Sequence, residues 1–545
     1  MRGLMMDRPL LISGIIQHAA RYHGDTEIVS RLSDRGIHRY TYAEAERRAR
    51  RCAQALTRLG VEPGDRVATL AWNSFRHLEL YYGISGIGAV CHTVNPRLFV
   101  DQLRYIVNHA SDTLMFLDAT FLPLAEKLAA DWHPIRHYVL MCRRDEMPAS
   151  TTLPSLLCYE DLIDGEDGVL DWPVLDETTA SSLCYTSGTT GNPKGVLYSH
   201  RSTLLHALSS CMTDMLGISS NDSLCPVVPM FHVNAWGTPY SAPLAGAKLV
   251  FPGQHLDGPS LCDLFRGERV TISLGVPTVW LGALRHMDET DRSLPDLNRI
   301  IVGGSAAPPS MIETFEKRWG VRAVHAWGMT EMSPLGSVAH LKEKHKSLDE
   351  AAQYRIKFTQ GRPCYGVDMK IVDGEGRALP HDGIAMGELL VRGPWIVDGY
   401  FEDAEATAAA FDAEGWFRTG DVAMIDPDGF MQITDRSKDV IKSGGEWISS
   451  IDIENAAMAH PGVAEAAVIG LPHPKWTERP FLVVVPKPGT PPDKAELLGF
   501  LKDKVAKWAL PDDVAFVEQI PHTATGKILK TKLREDFRDY LLPVA

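Results

Sequence analysis

Ala180 to Val196 reads ASSLCYTSGTTGNPKGV. An apolar, strand-like run, Ala180 to Tyr185, leads into a loop rich in glycine and hydroxyl side chains. Gly188, Gly191 and Gly195 allow close approach of the backbone to a ligand. The hydroxyls of Thr186, Ser187, Thr189 and Thr190, with the ammonium of Lys194, can wrap a triphosphate. The Walker pattern requires Gly-Lys followed by Ser or Thr. Here Lys194 is followed by Gly195, so this is a phosphate loop of another type. A flexible Ser/Gly linker would explain neither the preceding strand nor the placement of the lysine.

Outward from this loop the first half of the chain alternates short apolar runs with helical patterns. Asp65 to Trp72 reads as a buried strand after the turn Glu62-Pro63-Gly64, and Ser74 to Ile87 carries helical periodicity. Leu114 to Asp118, Ala180 to Tyr185, Ala247 to Phe251 and Arg299 to Gly303 repeat the strand pattern, each ahead of a loop and a helical stretch. This alternation predicts layered α/β architecture with largely parallel sheets. After about Gly361 the pattern changes to short strands at Met369 to Val372, Gly387 to Arg392 and Val422 to Thr434, with a hairpin-turn signal at Asp426 to Gly429.

The expected division is an N-terminal domain at 1–434, its β-rich subdomain at about 361–434, a hinge at 435–440 and a small α+β C-terminal domain at 441–545. In the last, helices are expected at Ile451 to His460 and Lys494 to Trp508, with strands near Ala464 to Gly470 and Phe481 to Pro486.

Composition agrees with a globular chain of two or more domains: 545 residues, 45% hydrophobic and 23% charged. A net charge of −14 without a long basic run argues against nucleic acid as a partner. Nine cysteines without a CxxC pair read as reduced thiols in a cytoplasmic protein rather than disulfides or a metal site. No stretch is long and apolar enough to span a membrane, and the N-terminus does not read as a signal peptide.

Further motifs follow the loop in order: VPMFHVNAWG at Val228 to Gly237, VGGSAAP at Val302 to Pro308, AWGMTEMS at Ala326 to Ser333, WFRTGD at Trp416 to Asp421, DRSKD at Asp435 to Asp439 and PHTATGKILK at Pro521 to Lys530. In this series the chain resembles the adenylate-forming superfamily of acyl-CoA synthetases, luciferases and peptide-synthetase adenylation domains, from about Thr41 to Lys532. The resemblance implies an enzyme that uses ATP and Mg²⁺ to convert a carboxylic acid to an acyl-adenylate.

Within the nucleotide site it implies that Thr330 bonds the α-phosphate, that Glu331 holds Mg²⁺, and that Ala326, Trp327, Gly328 and Met329 line the nucleotide. Trp327 stands where the family usually has Tyr, and would stack on adenine. Asp421 would accept bonds from the ribose hydroxyls, and Arg436 would contact ribose or phosphate. Lys527 would stabilise charge on the phosphoryl oxygens.

For the acid, the resemblance implies His232 as a gate, with Trp236, Gly303, Gly304 and Pro334 lining the pocket. It also implies rotation of the small domain about Lys438, and a pantetheine tunnel lined by Lys442, Gly444, Gly445, Glu446 and Trp447. Asp435 replaces the commoner Gly before Arg436, which is expected to alter hinge freedom rather than chemistry. The chain ends 18 residues past Lys527, which favours free coenzyme A over a carrier domain as acceptor.

The bulk of His232 and Trp236 suggests a small or medium acid pocket, although each buried CH₂ contributes only about 0.8 kcal/mol. Over its whole length the chain resembles the medium-chain fatty acyl-CoA synthetase group, and within it ligases of 3-methylmercaptopropionate. A generic short- or medium-chain acid is the alternative. Family members are often homodimers. A non-catalytic nucleotide-binding scaffold is disfavoured because Glu331, Asp421, Arg436 and Lys527 are all present.

Overall fold

The structure, a computed structural model, describes residues 1, 3–186, 192–443, 446–489, 491–502, 504–522 and 528–543, with 446 and 447 described by backbone alone. Among these residues the strands form four sheets. The seven-stranded sheet runs in the order Leu156–Cys158, His137–Leu140, Leu114–Leu117, Arg66–Leu70, Val90–Thr93, Ala180–Tyr185 and Gly195–Ser199. A nine-stranded sheet runs from Arg362–Pro363 through Leu335–Val338, Arg322–Gly328, Arg299–Val302, Ile272–Gly275, Ser223–Pro226, Lys248–Phe251 and Glu27–Arg31 to Ile37–Thr41. Strands such as Val90–Thr93, Leu114–Leu117 and Ile272–Gly275 are buried at every position. That is why they read as continuous apolar runs rather than alternating ones.

The helix Phe75–Gly86 lies in the core shared by both sheets, and all but one of its residues are buried. Ser74 starts it by accepting the amide of His77 at 3.3 Å. The neighbouring helix Tyr42–Arg58 begins with a capping box, in which Thr41 and Glu44 satisfy each other's amides. Between the two helices Glu79, 1% exposed, accepts from Arg48 at 2.7 Å and from the Tyr159 hydroxyl at 2.7 Å. Burial pushes the Glu79 carboxyl up, and Arg48 and Tyr159 oppose that shift.

The α/β expectation holds, and the strands Arg66–Leu70, Leu114–Leu117, Ala180–Tyr185 and Arg299–Val302 lie within or at the expected runs. Two expectations need correction. The phosphate loop does not lead from a strand directly to a helix. Its strand Ala180–Tyr185 pairs antiparallel with Gly195–Ser199, with Tyr185 opposite Gly195, and only then does the helix His200–Cys211 begin. The expected helix from Lys494 to Trp508 stops at Leu501, and Lys507–Ala509 forms a separate 3₁₀ turn. Leu497 and Leu501 complete its buried face. The chain must then reverse to place Asp513–Phe516 parallel to Thr477–Pro486, a strand not foreseen.

The β-rich region forms a four-stranded antiparallel sheet of Asp368–Val372, Gly387–Arg392, Phe417–Ile425 and Met431–Arg436. Its Asp426-Pro427-Asp428-Gly429 turn closes with Gly429 at φ +84°, and the Asp426 carboxylate accepts the amides of Asp428 and Phe430 at 2.8 Å. From Ile441 onward the strands belong to a separate sheet, which packs on its own clusters around Val468, Leu482 and Leu497 and around Ile469, Phe481 and Leu533.

Arg48→Ala should destabilise the fold by about 3–5 kcal/mol, because it strands a buried carboxylate. Arg48→Met combined with Glu79→Leu should cost less than the single change. Urea midpoints check this, and a double variant weaker than Arg48→Ala contradicts it.

Candidate functional site

The hairpin Ala180–Tyr185/Gly195–Ser199 presents the phosphate loop from a sheet edge. At its mouth the Thr186 amide donates to the Lys194 carbonyl at 2.9 Å, and the Lys194 amide donates to Thr186 Oγ1 at 3.1 Å. No helix N-terminus follows the loop directly. A phosphate placed there would rely on groups other than a helix N-terminus, such as the Lys194 ammonium. The Lys194 Nζ sits 4.7 Å above the Tyr400 ring. Ser187, Gly188, Thr189 and Thr190 lie outside the described residues, as do Gly444, Gly445 and Lys527 and the side chains of Glu446 and Trp447.

Thr330 and Glu331 sit on a 3₁₀ turn, Thr330–Met332, after the strand Arg322–Gly328. Three contacts fix this turn. The Tyr198 hydroxyl donates to the Thr330 carbonyl at 2.5 Å, the Val397 amide to the Glu331 carbonyl at 2.8 Å, and the Tyr400 hydroxyl to Glu331 Oε1 at 2.8 Å. Gly328 has to be glycine, since a Cβ would lie 2.0 Å from the Pro334 carbonyl oxygen. Pro334 follows a cis peptide and its carbonyl accepts the Met329 amide at 3.1 Å.

Burial pushes the Glu331 carboxyl up; the Tyr400 hydroxyl bond and the charges of Arg436 and Lys194 oppose this. Tyr400 is itself shifted up by burial and by Glu331, so it remains a donor. Among the described residues no three His, Cys, Asp or Glu side chains converge. Glu331 could thus hold Mg²⁺ as a single carboxylate, with phosphate oxygens and water completing the shell.

Asp421 is 2% exposed, and both its oxygens are engaged. Trp327 Nε1 donates to Oδ2 at 3.0 Å, and Arg436 Nε lies 2.9 Å from Oδ1. The strand pairing Asp421↔Arg436 creates the second contact. Trp327, expected as an adenine platform, supports Asp421 in this structure. One part of its ring packs over Gly336, where a Cβ would come within 2.6 Å. A carboxylate has about four lone-pair sites, so Asp421 keeps capacity for two ribose hydroxyls.

Val302–Pro308 and Val228–Gly237 meet at Gly303 and Trp236. Trp236 packs on Gly303, where a Cβ would come within 3.0 Å of the indole and 3.1 Å of the Ala326 carbonyl. Gly304 has φ +82° and faces Val276. Val233, Asn234, Ala235 and Trp236 all have positive φ, between 47° and 56°, and Gly237 continues the left-handed turn at 76°. Such a conformation costs an L-residue roughly 1–2 kcal/mol. The turn is therefore held by its surroundings, and it sets the direction of Trp236. His232 precedes it, half-buried. Against Gly237 of the turn lies His206, which, with its basicity lowered by burial to about 3, accepts the Leu335 amide at 3.2 Å.

At the expected hinge Asp435 does more than restrict the backbone. It is 1% exposed, and its Oδ2 accepts the Ser450 amide at 2.7 Å at the start of the helix Ser450–Met458. Lys530 pairs with Glu454 at 2.7 Å in the same buried cluster, and Arg534 with Asp439 at 2.7 Å. Burial lowers the basicity of Lys438. Lys442 stands on the strand Ile441–Ser443, and its amide donates to Glu478 at 2.9 Å. Tyr198, Tyr400 and His206 were not foreseen. Each acts through a partner distant in sequence, and none lies in a stretch with ligand-binding composition.

Comparison with known proteins gives a consistent picture. The AMP-binding enzyme family matches residues 16–401, and the AMP-binding enzyme C-terminal domain matches 452–527. A 3-methylmercaptopropionyl-CoA ligase from Ruegeria lacuscaerulensis is 54% identical over 541 residues, covering 99% of this chain and 100% of that protein. A medium-chain-fatty-acid–CoA ligase from Ectopseudomonas oleovorans is 50% identical, covering 99% and 98%. Among solved structures, an anthranilate CoA ligase in complex with anthranoyl-AMP superposes with a TM-score of 0.86 at 26% identity, covering 98% of both chains.

Tyr400→Phe removes a donor that favours ionised Glu331. A hydrogen bond to a charged group contributes about 1.5–3 kcal/mol, so half-saturating Mg²⁺ should rise about tenfold or more. A carboxyl with a raised pKa keeps its proton to higher pH than an ordinary carboxylic acid, so the Mg²⁺ requirement should grow as the pH is lowered, and more steeply in the variant. Magnesium titrations at several pH values that superimpose for the two proteins would contradict this coupling.

Proposed function

The chain belongs to the AMP-binding enzyme family, and we propose that it works as an AMP-forming acid–CoA ligase whose acid is 3-methylmercaptopropionate. Its reaction uses ATP, Mg²⁺ and coenzyme A. The observation that carries the substrate reading is the full-length likeness to 3-methylmercaptopropionyl-CoA ligase. The close packing of Trp236 on Gly303 supports it, because an indole in that place leaves room for a compact acid. The medium-chain relative keeps medium-chain fatty acids as the second reading.

In the first step the acid's carboxylate oxygen attacks the α-phosphorus of ATP, and pyrophosphate leaves. Thr186 and Lys194, with the rest of the phosphate loop, hold the triphosphate. Thr330 orients the α-phosphate, and Asp421, steadied by Trp327 and Arg436, takes the ribose hydroxyls. Lys527 faces the charge that builds on the phosphoryl oxygens; one such contact is worth roughly 3 kcal/mol. Mg²⁺ on Glu331 would neutralise phosphate charge when bound.

In the second step the thiol of coenzyme A attacks the acyl carbonyl and AMP leaves. The small domain turns about Lys438, and the segment from Lys442 through Gly444, Gly445 and Glu446 to Trp447 lines the path of the pantetheine arm. His232 gates that path, and Trp236, Gly303, Gly304 and Pro334 line the acid. The domain division at 434 and 441 belongs to the same reading, supported by the separate sheet that begins at Ile441.

A cytoplasmic location is supported by nine cysteines, all free. No described helix is long and apolar enough to cross a membrane. A homodimer rests on the family resemblance alone.

The test is product analysis across acids from acetate to palmitate together with 3-methylmercaptopropionate. AMP, pyrophosphate and acyl-CoA are expected, with the highest kcat/KM for the thioether acid. A maximum at octanoate or beyond overturns the substrate reading, and ADP as product overturns the activity.

A further inference from the structure

We propose that Asn234 is a positioning residue for the acid. Its side chain pins the left-handed turn Val233–Gly237 to the strand that carries the phosphate loop, and so fixes Trp236 relative to ATP. This rests on the reading that His232 and Trp236 line the acid pocket.

The turn cannot hold itself. Of its five residues only Asn234 and Gly237 belong to types that enter the left-handed region readily, and Val233 is β-branched. Neighbouring backbone and hydroxyl groups bond Ala235 and Gly237 locally, and the side chain of Asn234 ties the turn to elements distant in sequence. Its Nδ2 donates to Ser182 Oγ at 3.0 Å, and its Oδ1 accepts from Cys184 Sγ at 3.4 Å. The Tyr81 hydroxyl lies 3.1 Å from the same Oδ1 and 2.6 Å from the Met230 carbonyl. Asn234 is 4% exposed, and Ser182 and Tyr81 are fully buried. In so dry a setting the bonds hold firmly, and an unmade one is costly.

Upstream, Asn73 provides a second tie. Its Nδ2 donates to the carbonyls of Pro226 and Val228, both at 2.9 Å, and its Oδ1 accepts the Met230 amide at 2.6 Å. The segment carrying His232 is thus bound on both sides.

The strand that Asn234 grips gives the clamp its functional meaning. Ser182 and Cys184 lie on Ala180–Tyr185, just before Thr186. One strand therefore carries both the phosphate loop and the anchor of the acid wall. The acid's carboxylate has to meet the α-phosphorus in line, and small misplacements of reacting groups are expensive. Asn234 keeps the two halves in register without touching either ligand.

Two variants of the full chain test this, N234G and S182A. Glycine keeps the left-handed backbone accessible and removes only the clamp. With N234G, KM for the acid should rise about tenfold, and the spread of kcat/KM across the acid panel should narrow about threefold, while KM for ATP stays within about twofold. S182A should move the same quantities in the same direction by about threefold. A wild-type acid profile in N234G overturns the proposal, because backbone tolerance alone would then suffice. Equal rises in KM for acid and ATP overturn it as well, since they signal general damage. If N234G fails to fold, S182A decides, and a wild-type KM for the acid there overturns the proposal. The rank order of acids for the wild-type enzyme tests the substrate reading separately, since the clamp is read from the change between variant and wild type.

Discussion

The pairing of Ala180–Tyr185 with Gly195–Ser199 is the constraint on which the candidate site depends. It closes the phosphate loop between Tyr185 and Gly195. From one arm, Ser182 and Cys184 hold Asn234 and with it the turn bearing Trp236. From the other, Tyr198 holds Thr330, and the Gly195 carbonyl accepts the Phe401 amide at 2.8 Å, next to Tyr400. Gly195–Ser199 is the edge strand of its sheet, and the Tyr400–Phe401 segment covers part of that edge. An exposed edge is a liability that proteins commonly cover. Here the cover also supplies Tyr400 to Glu331.

Much of this was legible in the sequence wherever the signal is contiguous. The loop from Thr186 to Gly195, Thr330 with Glu331, and the segment ending in Asp421 each gather residue types suited to a nucleotide site within a few positions. The apolar strands were legible because burial on both faces makes them uniform runs. Pairings distant in sequence were not. Tyr400 meets Glu331 across 69 positions, and Asn234 meets Ser182 across 52. Neither tyrosine nor asparagine stands out where it sits. The strand Gly195–Ser199 was missed because the glycine-rich loop before it and the helix after it suggested a direct strand–loop–helix passage. The end of the helix at Leu501 was missed for a different reason. Val505 and Trp508 continue the helical period, but the chain has to turn back to add a strand to the C-terminal sheet.

Buried charge is distributed in a consistent way. Glu79 and Arg48 form a pair with a supporting tyrosine and serve the fold. Glu331 has a tyrosine but no cation at bonding distance among the described contacts, and Arg436 and Lys194 act on it from farther away. An incompletely paired buried carboxylate destabilises the empty protein and favours whatever cation arrives with the nucleotide. Asp421 is further compensated, with Trp327 and Arg436 on its two oxygens, which suits a group that has to stay oriented. Asp435 and Lys530 place a comparable buried cluster between the two sheets that flank the hinge. The proposed rotation of the small domain would have to rearrange that cluster or carry it along.

The central claim is that an acid's carboxylate attacks the α-phosphorus of ATP. The most direct measurement uses 3-methylmercaptopropionate labelled with ¹⁸O in both carboxylate oxygens, with mass analysis of the phosphate-containing products after turnover with coenzyme A. The account predicts one ¹⁸O in AMP and none in pyrophosphate. Label in pyrophosphate or inorganic phosphate, with unlabelled AMP, would contradict it.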